Sequence, residues 1–394
     1  MLNYPESDAA VEQAFKEWLH SGEPTGGLTQ SIELERSWDE TPGSVTLSPR
    51  YTFAHLEETP RLTAFLDGVE VPLDAPVRLE PVHISKPWGR EIWYSGIEAR
   101  GESRVRGGNG SLPLSHYLAL APDRLCCGEP LVLLKVLDPH PEPLIGELYL
   151  EVHEEKREVY VVTHLDPGAW PEGEGNIRFG VNQTVRREHG DDDNFRAAYL
   201  HAVQEYLHIR NAIDAGEQID AELERRARTA MGKFTELKTL KVGDVVTVPP
   251  GLPHSLQHGV RVVEFQTPVF ERHIISFAQK VLTQNHWDSE TAIARMTLDA
   301  PPEPDFVELE PGVERIASFD DFNVCRATLA PNAVFNLPQH IPYALCIALG
   351  DGIRIGPLPL GPEEACFVPH SALQSPIGNV SDQTEICLVA APKL

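Results

Sequence analysis

Positive charge is what this chain has least of. Among 394 residues, 33 Lys and Arg face 59 Asp and Glu, for a formal net charge of −26. A phosphate backbone is held by clustered cations, so this balance excludes a nucleic-acid partner. Long apolar runs are also missing. No stretch is long enough to span a bilayer, which excludes a membrane helix. The opening residues Met1-Leu2-Asn3-Tyr4-Pro5-Glu6 carry neither a basic leader nor an apolar segment behind it, and the expectation is a cytoplasmic protein. Paired cysteines are absent as well: Cys126, Cys127, Cys325, Cys346, Cys366 and Cys387 form no C-x2-C pair. They read as reduced and mostly buried. Short repeats and low-complexity tracts do not occur. What is left is an acidic globular chain long enough for two or three domains, with a small molecule as its expected partner.

Two segments carry most of the chemistry. The first is Gly243-Asp244-Val245-Val246-Thr247-Val248-Pro249-Pro250-Gly251-Leu252-Pro253-His254. Gly243-Asp244 is a turn that launches the short strand Val245 to Val248. Pro249, Pro250 and Gly251 stop that strand and force a tight turn. His254 then stands at the start of the next strand, where its imidazole can point inward as a ligand for a borderline metal such as zinc. The second segment is Glu151-Val152-His153-Glu154-Glu155-Lys156-Arg157-Glu158. Residues two apart on a strand share a face, so Glu151 and His153 both point inward. A charged turn, Glu154 to Arg157, is expected to bring Glu158 back beside them by antiparallel pairing.

These segments resemble the two signatures of the cupin β-barrel, G-x5-P-x-G-x2-H and H-x-H-x(3,4)-E. The resemblance implies one divalent ion, most simply Zn2+, held by Glu151, His153, Glu158 and His254 at about 2.0–2.2 Å. Only two imidazoles fill the motif positions, and two carboxylates accompany them. That set suits a redox-inert Lewis acid better than oxygen activation. His258 stands where a third imidazole is conceivable and otherwise reads as a polar residue at the barrel rim.

Further segments are similar to the type I phosphomannose isomerase family. Lys86-Pro87-Trp88-Gly89 resembles its K-P-W-G-G opening, and Leu131-Val132-Leu133-Leu134-Lys135-Val136-Leu137-Asp138 its P-F-L-x-K-x-L-D-A strand. Glu158-Val159-Tyr160-Val161-Val162 is similar to E-x-W-Y-V-L, and Pro167-Gly168-Ala169 to the P-G-A after it. Val260 to Gln266 with Arg272 is similar to V-x-x-E-x-Q-Q and the arginine beyond it. The likeness runs, with gaps, from about Val82 to about Asp288. It departs from the family at Glu151, usually Gln, at the four-residue spacing before Glu158, at Arg90, and in lacking the Ser-Asp before the arginine.

The resemblance implies a mainly β chain of two cupin (jelly-roll) barrels with a helical insertion and an N-terminal extension. Residues 1–78 form that extension, with a helix from Ser7 to His20 built on Ala10, Val11, Phe15 and Leu19 and capped by Ser7. Residues 79–298 form the metal-binding domain, whose helical insertion falls at about 190–234. Residues 299–394 open with the Pro-rich linker Ala300 to Pro304 and form a degenerate, metal-free barrel that includes His370. The implied activity is a metal-dependent aldose–ketose isomerase that interconverts mannose 6-phosphate and fructose 6-phosphate through an enediolate, as a monomer or homodimer. Glu264 would be the base and Arg272 the oxyanion donor. Lys86, Trp88 and Lys135 would hold the substrate, and Arg90 is a further cation for its phosphate. Two alternatives stay open. One is a metal-containing cupin that binds a sugar or sugar phosphate without turnover, and the other an isomerase for a different sugar. Glu264 also reads as one half of a buried ion pair with Arg261 or Arg272.

Overall fold

A computed structural model describes Tyr4 and residues 8–275 and 286–393 of the chain. Ser7, the expected helix cap, lies outside the described residues. Packing divides the chain into two compact units that do not follow sequence order. One gathers residues 1–84, 92–135 and 305–394, and the other 85–91 and 136–304. The structure is mainly β.

In the first unit the helix Asp8–Ser21 buries Val11, Phe15 and Trp18. Phe15 and Trp18 pack on Phe53 with ring centroids 5.5 and 5.9 Å away. The apolar stripe therefore ends on Trp18, and Leu19 faces solvent at 42% exposure. The larger indole takes the position nearer the strands, where it removes more apolar surface from water. Beneath the helix lies an antiparallel sheet of Thr25–Thr29, Arg50–Leu56, Thr59–Leu66 and Val69–Pro72. A nine-stranded sheet runs from Gly110–Pro113 at one edge, through Val77–Glu80 and Ala365–Pro369, to Val307–Glu310 at the other. Its apolar face shares a core with the four-stranded sheet of Val334–Phe335, Ile377–Asn379, Ile353–Ile355 and Leu358–Leu360.

The second unit contains two sheets packed face to face. One orders Val245–Val248, Glu158–Leu165 and Val260–Gln266 side by side; the other orders Thr235–Leu240, Gly175–Val181, His254–Leu256, Leu150–Val152 and His273–Ile275. Their shared core takes Tyr160, Val162, Val248 and Val262 from the first and Ile177, Phe179, Leu256 and Ile274 from the second. Helices occupy Gln183–Glu188, Asp192–Asp214 and Ala221–Gly232 between two of these strands. The acidic run at 191–193 is explained by the helix it opens. Asp191 accepts from the backbone N–H of Asn194 as N-cap, and Asp192 and Asp193 lie in the positive first turn. Phe195, Tyr199, Val203 and Tyr206 of that helix form a cluster with Leu150, Val152 and Ile275. The helices thus hold one face of the strand Leu150–Val152, which commits the alternate residue, Glu151, to the opposite face.

Cys126, Cys346, Cys366 and Cys387 are buried, Cys325 is half-buried and Cys127 is exposed. Burial pushes the Cys126 thiol up to about 12 and the Cys325 thiol up to about 11. Hydrogen bonds with neighbouring thiols, together with burial, hold Cys346 and Cys387 far above the usual range. Thiolate is the reactive form. Native protein should therefore be alkylated quickly at Cys127, slowly at Cys325, and at the four buried thiols only after denaturation. Peptide mapping that finds rapid native labelling of Cys346 or Cys387 would contradict this packing.

Candidate metal centre

The turn after Val248 is built as its sequence requires. Gly251 adopts φ +82°, a left-handed conformation that suits glycine, and its N–H donates to the carbonyl of His153 at 2.6 Å. The two motif segments are thereby pinned to each other. His254 begins the strand His254–Leu256 and pairs across with Glu151 and Phe179.

Glu158 arrives differently from the hairpin expected of it. It opens the strand Glu158–Leu165, which pairs with Val245–Val248 and Val260–Gln266 rather than with Leu150–Val152. The four-residue connection crosses from one sheet to the facing one, so the acid meets the imidazoles across the sandwich. His153, Glu158 and His254, all buried, bring one ligand atom each within 4.8 Å of one another. Glu151 is not in that close group. Its Oε2 lies 3.6 Å from His153 Nε2, while Oε1 accepts from Arg272 Nη1 at 2.9 Å.

The histidine tautomers follow from their partners. His153 Nδ1 lies 2.9 Å from the Glu271 carbonyl and His254 Nδ1 lies 3.0 Å from the Leu252 carbonyl. A carbonyl only accepts, so each Nδ1 carries the proton and each Nε2 presents a lone pair. Those lone pairs face Glu158: His254 Nε2 is 3.0 Å from Oε2 and His153 Nε2 is 3.4 Å from Oε1. His153 Nε2 is buried with no hydrogen-bond partner. Tetrahedral donors at about 2.1 Å from one ion stand about 3.4 Å apart, so the residues fit a divalent metal. Backbone carbonyls on the second nitrogens are the usual way such ligands are oriented.

Two neighbours complete the electrostatics. Lys156 Nζ donates to Glu158 Oε1 at 2.7 Å, and the Tyr160 hydroxyl donates to Oε2 at 2.5 Å. Burial alone would push the Glu158 carboxyl up. Lys156, the largest opposing influence, outweighs it and holds the group well below the usual carboxylate range. His153 moves the other way from a typical surface imidazole: burial first, then Lys156, keep it neutral well below its ordinary range. Lys156 was missed in the sequence because its turn, Glu154 to Arg157, reads as solvated. Its i, i+2 spacing from Glu158 was the available signal.

The other candidate residues divide. Glu264 is buried at 1% exposure and stands opposite Tyr160 in register. The Tyr160 hydroxyl is pushed far up, first by burial and then by Glu158, Glu264 and Glu151. Arg272 lies 5.5 Å from both the Tyr149 and Phe270 ring centroids besides pairing with Glu151. Lys86 pairs with Glu91 at 3.2 Å, both nearly buried, and Arg90 pairs with Asp138 at 2.6 Å. Trp88 is a core residue, clustered with Leu137, Tyr149 and Tyr160. Its neighbour Gly89 is obligatory, since a Cβ there would stand 2.3 Å from the Asp138 carbonyl. Lys135 is buried in the strand Leu133–Pro139 as the last residue that segment gives to the first unit. His258 is not in the metal group; its ring stacks on Trp170 at 4.7 Å.

Solved structures share the fold of this mainly β chain. Mannose 6-phosphate isomerase from Bacillus subtilis matches with a TM-score of 0.58 at 16% identity, covering 80% of this chain and 99% of that one. A zinc-bound mannose 6-phosphate isomerase gives 0.61 at 13% identity over 81% and 100% of the two chains. A variant of phosphomannose isomerase from Salmonella typhimurium gives 0.61 at 14% over 81% and 100%. No protein-family model matches the sequence, and no curated protein does. The fold is that of the mannose 6-phosphate isomerases. Among the described residues no helix is long and apolar enough to cross a membrane.

The neutral, buried His153 has a consequence for stability. The unfolded chain takes up a proton at this residue near pH 6.5, whereas the folded chain does so only at lower pH. Stability of metal-free protein should therefore fall as pH drops through about 6.5, since the unfolded state then binds more protons. Melting temperatures between pH 7.5 and 5.5 should slope less steeply in a His153→Gln variant. Equal slopes would contradict the assignment.

Proposed function

We propose that the chain is a divalent-metal-dependent aldose–ketose isomerase, with zinc as the favoured ion, acting on mannose 6-phosphate and fructose 6-phosphate. One observation carries the reading: two imidazoles turn unprotonated Nε2 atoms towards a buried carboxylate within a fold shared with mannose 6-phosphate isomerases. In this reading residues 79–298 and 299–394 each contribute a cupin barrel, elaborated by the helices after Val181 and by the segment 1–78. The barrel at 299–394 is structural, and the protein acts in the cytoplasm on a small sugar phosphate, as a monomer or homodimer.

His153, Glu158 and His254 would hold the ion, and Glu151 would join them by turning its carboxylate from Arg272. Bound zinc supplies a Lewis acid that polarises the sugar carbonyl. Glu264 takes the proton from the adjacent carbon and returns it to the neighbouring one. Arg272, released by Glu151, offers an always-charged donor to the developing enediolate oxygen. Lys156 holds Glu158 ionised, and the apolar walls from Tyr149 and Trp88 keep water from the reacting carbons. Lys86 and Lys135 are the cations assigned to substrate hydroxyls or phosphate.

A second reading draws on the Glu151–Arg272 contact. With that ion pair kept, the guanidinium is committed to a carboxylate, and the site binds a sugar phosphate without turning it over. The two readings part on exchange of the C2 proton with solvent. The isomerase reading expects deuterium from solvent at C2 of mannose 6-phosphate, whereas the binding reading expects affinity without exchange. Purified protein should hold close to one equivalent of metal, and His254→Ala should lose it. Arg272→Lys should lower kcat by about a hundredfold, the worth of one preorganised oxyanion donor, with metal content unchanged. Lys135→Ala should mainly raise KM. Fully metal-loaded wild type that exchanges no proton on any aldose 6-phosphate sinks the isomerase reading.

A further inference from the structure

The first unit contains a cavity unrelated to the metal centre. It has a volume of about 390 Å³, and its wall includes Arg315, Asn323, Cys325, Phe335, Leu337 and Val389. The sheet register explains why these side chains meet. Arg315 pairs across with Cys325, Cys325 with Val389, and Asn323 with Ala391. Asn323 and Cys325 are two apart on one strand, so all of these positions share a face. Phe335 and Leu337 close the cavity from the segment beyond that strand.

Two buried polar atoms of this wall lack protein partners among the described residues. Arg315 Nε and Asn323 Oδ1 are buried without a hydrogen bond, and Arg315 has no ion-pair partner among the described residues. The arginine on the neighbouring strand is served: Arg326 pairs with Glu314 at 2.8 Å. Glu314 is adjacent to Arg315 in sequence, but the strand's alternation sends it to the opposite face. A half-buried guanidinium whose Nε meets no acceptor is costly unless an anion reaches it, and Glu310 of the same wall makes no ion pair with it among the described residues.

We propose that this cavity is a second ligand site, specific for a small monocarboxylate with an apolar body. The guanidinium fork matches a carboxylate in bidentate geometry. Phe335, Leu337 and Val389 cover a body about the size of one ring, in keeping with a volume at the low end of ligand pockets. Asn323 Oδ1 accepts from a hydroxyl on that body. Glu310, also in the wall, opposes a second negative charge, which selects a monoanion over a phosphate dianion.

Benzoate and its uncharged counterpart benzyl alcohol test this on the whole protein. Calorimetry should give benzoate a Kd of about 1 mM or tighter, with benzyl alcohol and the Arg315→Gln variant each at least about tenfold weaker. Cys325 provides a readout in wild type that does not depend on the variant folding. Benzoate should slow its alkylation and leave Cys127 unaffected, while benzyl alcohol at the same concentration should have little effect. Equal binding of the two probes, or benzoate binding that leaves Cys325 alkylation unchanged, would overturn the proposal.

Discussion

The second unit is organised around one buried charge. Glu158 is 2% exposed at the seam between two sheets, where an isolated carboxylate would cost several kcal/mol of solvation. The fold answers with an ammonium and a phenol that donate to it, and sets two imidazoles within 3.4 Å. Each answering group needs support of its own. Tyr160 sits two residues along the same strand, His254 requires the Pro-Pro-Gly turn, and His153 requires the carbonyl of Glu271. Removing the acid would leave an ammonium and two oriented imidazoles with no common centre.

The same charge explains why the candidate chemistry gathers where it does. Tyr160 donates to Glu158 and stands opposite Glu264 in register, and Glu151 reaches His153 at 3.6 Å, so carboxylates gather around this centre. Arg272 stands at its margin with its own carboxylate. Glu151 pairs with the guanidinium in this structure, and a cation held at the centre would compete for it. A neutral amide at this position would leave that competition out.

Parts of this were legible in the sequence because they depend on local rules. The Val245–Val248 strand, its Pro-Pro-Gly stop and the placement of His254 follow from turn chemistry within twelve residues. The inward face of Glu151 and the outward faces of Leu150 and Val152 follow from strand alternation. Helices Asp192–Asp214 and Ala221–Gly232 lie within the stretch expected to be helical, but the buried stripe of the first, Phe195, Tyr199, Val203 and Tyr206, is not what the apolar spacing alone picks out. What escaped depends on pairing between distant segments. The crossing of Glu158 into the facing sheet cannot be read from a short charged turn, which looks the same in a hairpin as in a crossover. The ion pairs of Lys86 with Glu91, Arg90 with Asp138 and Arg272 with Glu151 likewise join groups whose proximity only the folded sheets create. Trp18 displaced Leu19 from the helix stripe because periodicity gives the direction of a face without the size of what it must fill.

The placement of the imidazoles and the acid on opposing sheets has a thermodynamic consequence. His153 and His254 are about a hundred residues apart in sequence, and closing a flexible loop of that length costs about 4 kcal/mol beyond its constant term. The unfolded chain can offer an ion these ligands only by paying that entropy first, whereas the packed sandwich has already met it. An ion that fits the centre would then act as a clasp between the sheets, binding the folded state in strong preference to the unfolded one. Opening the sandwich and losing the ion would become one event.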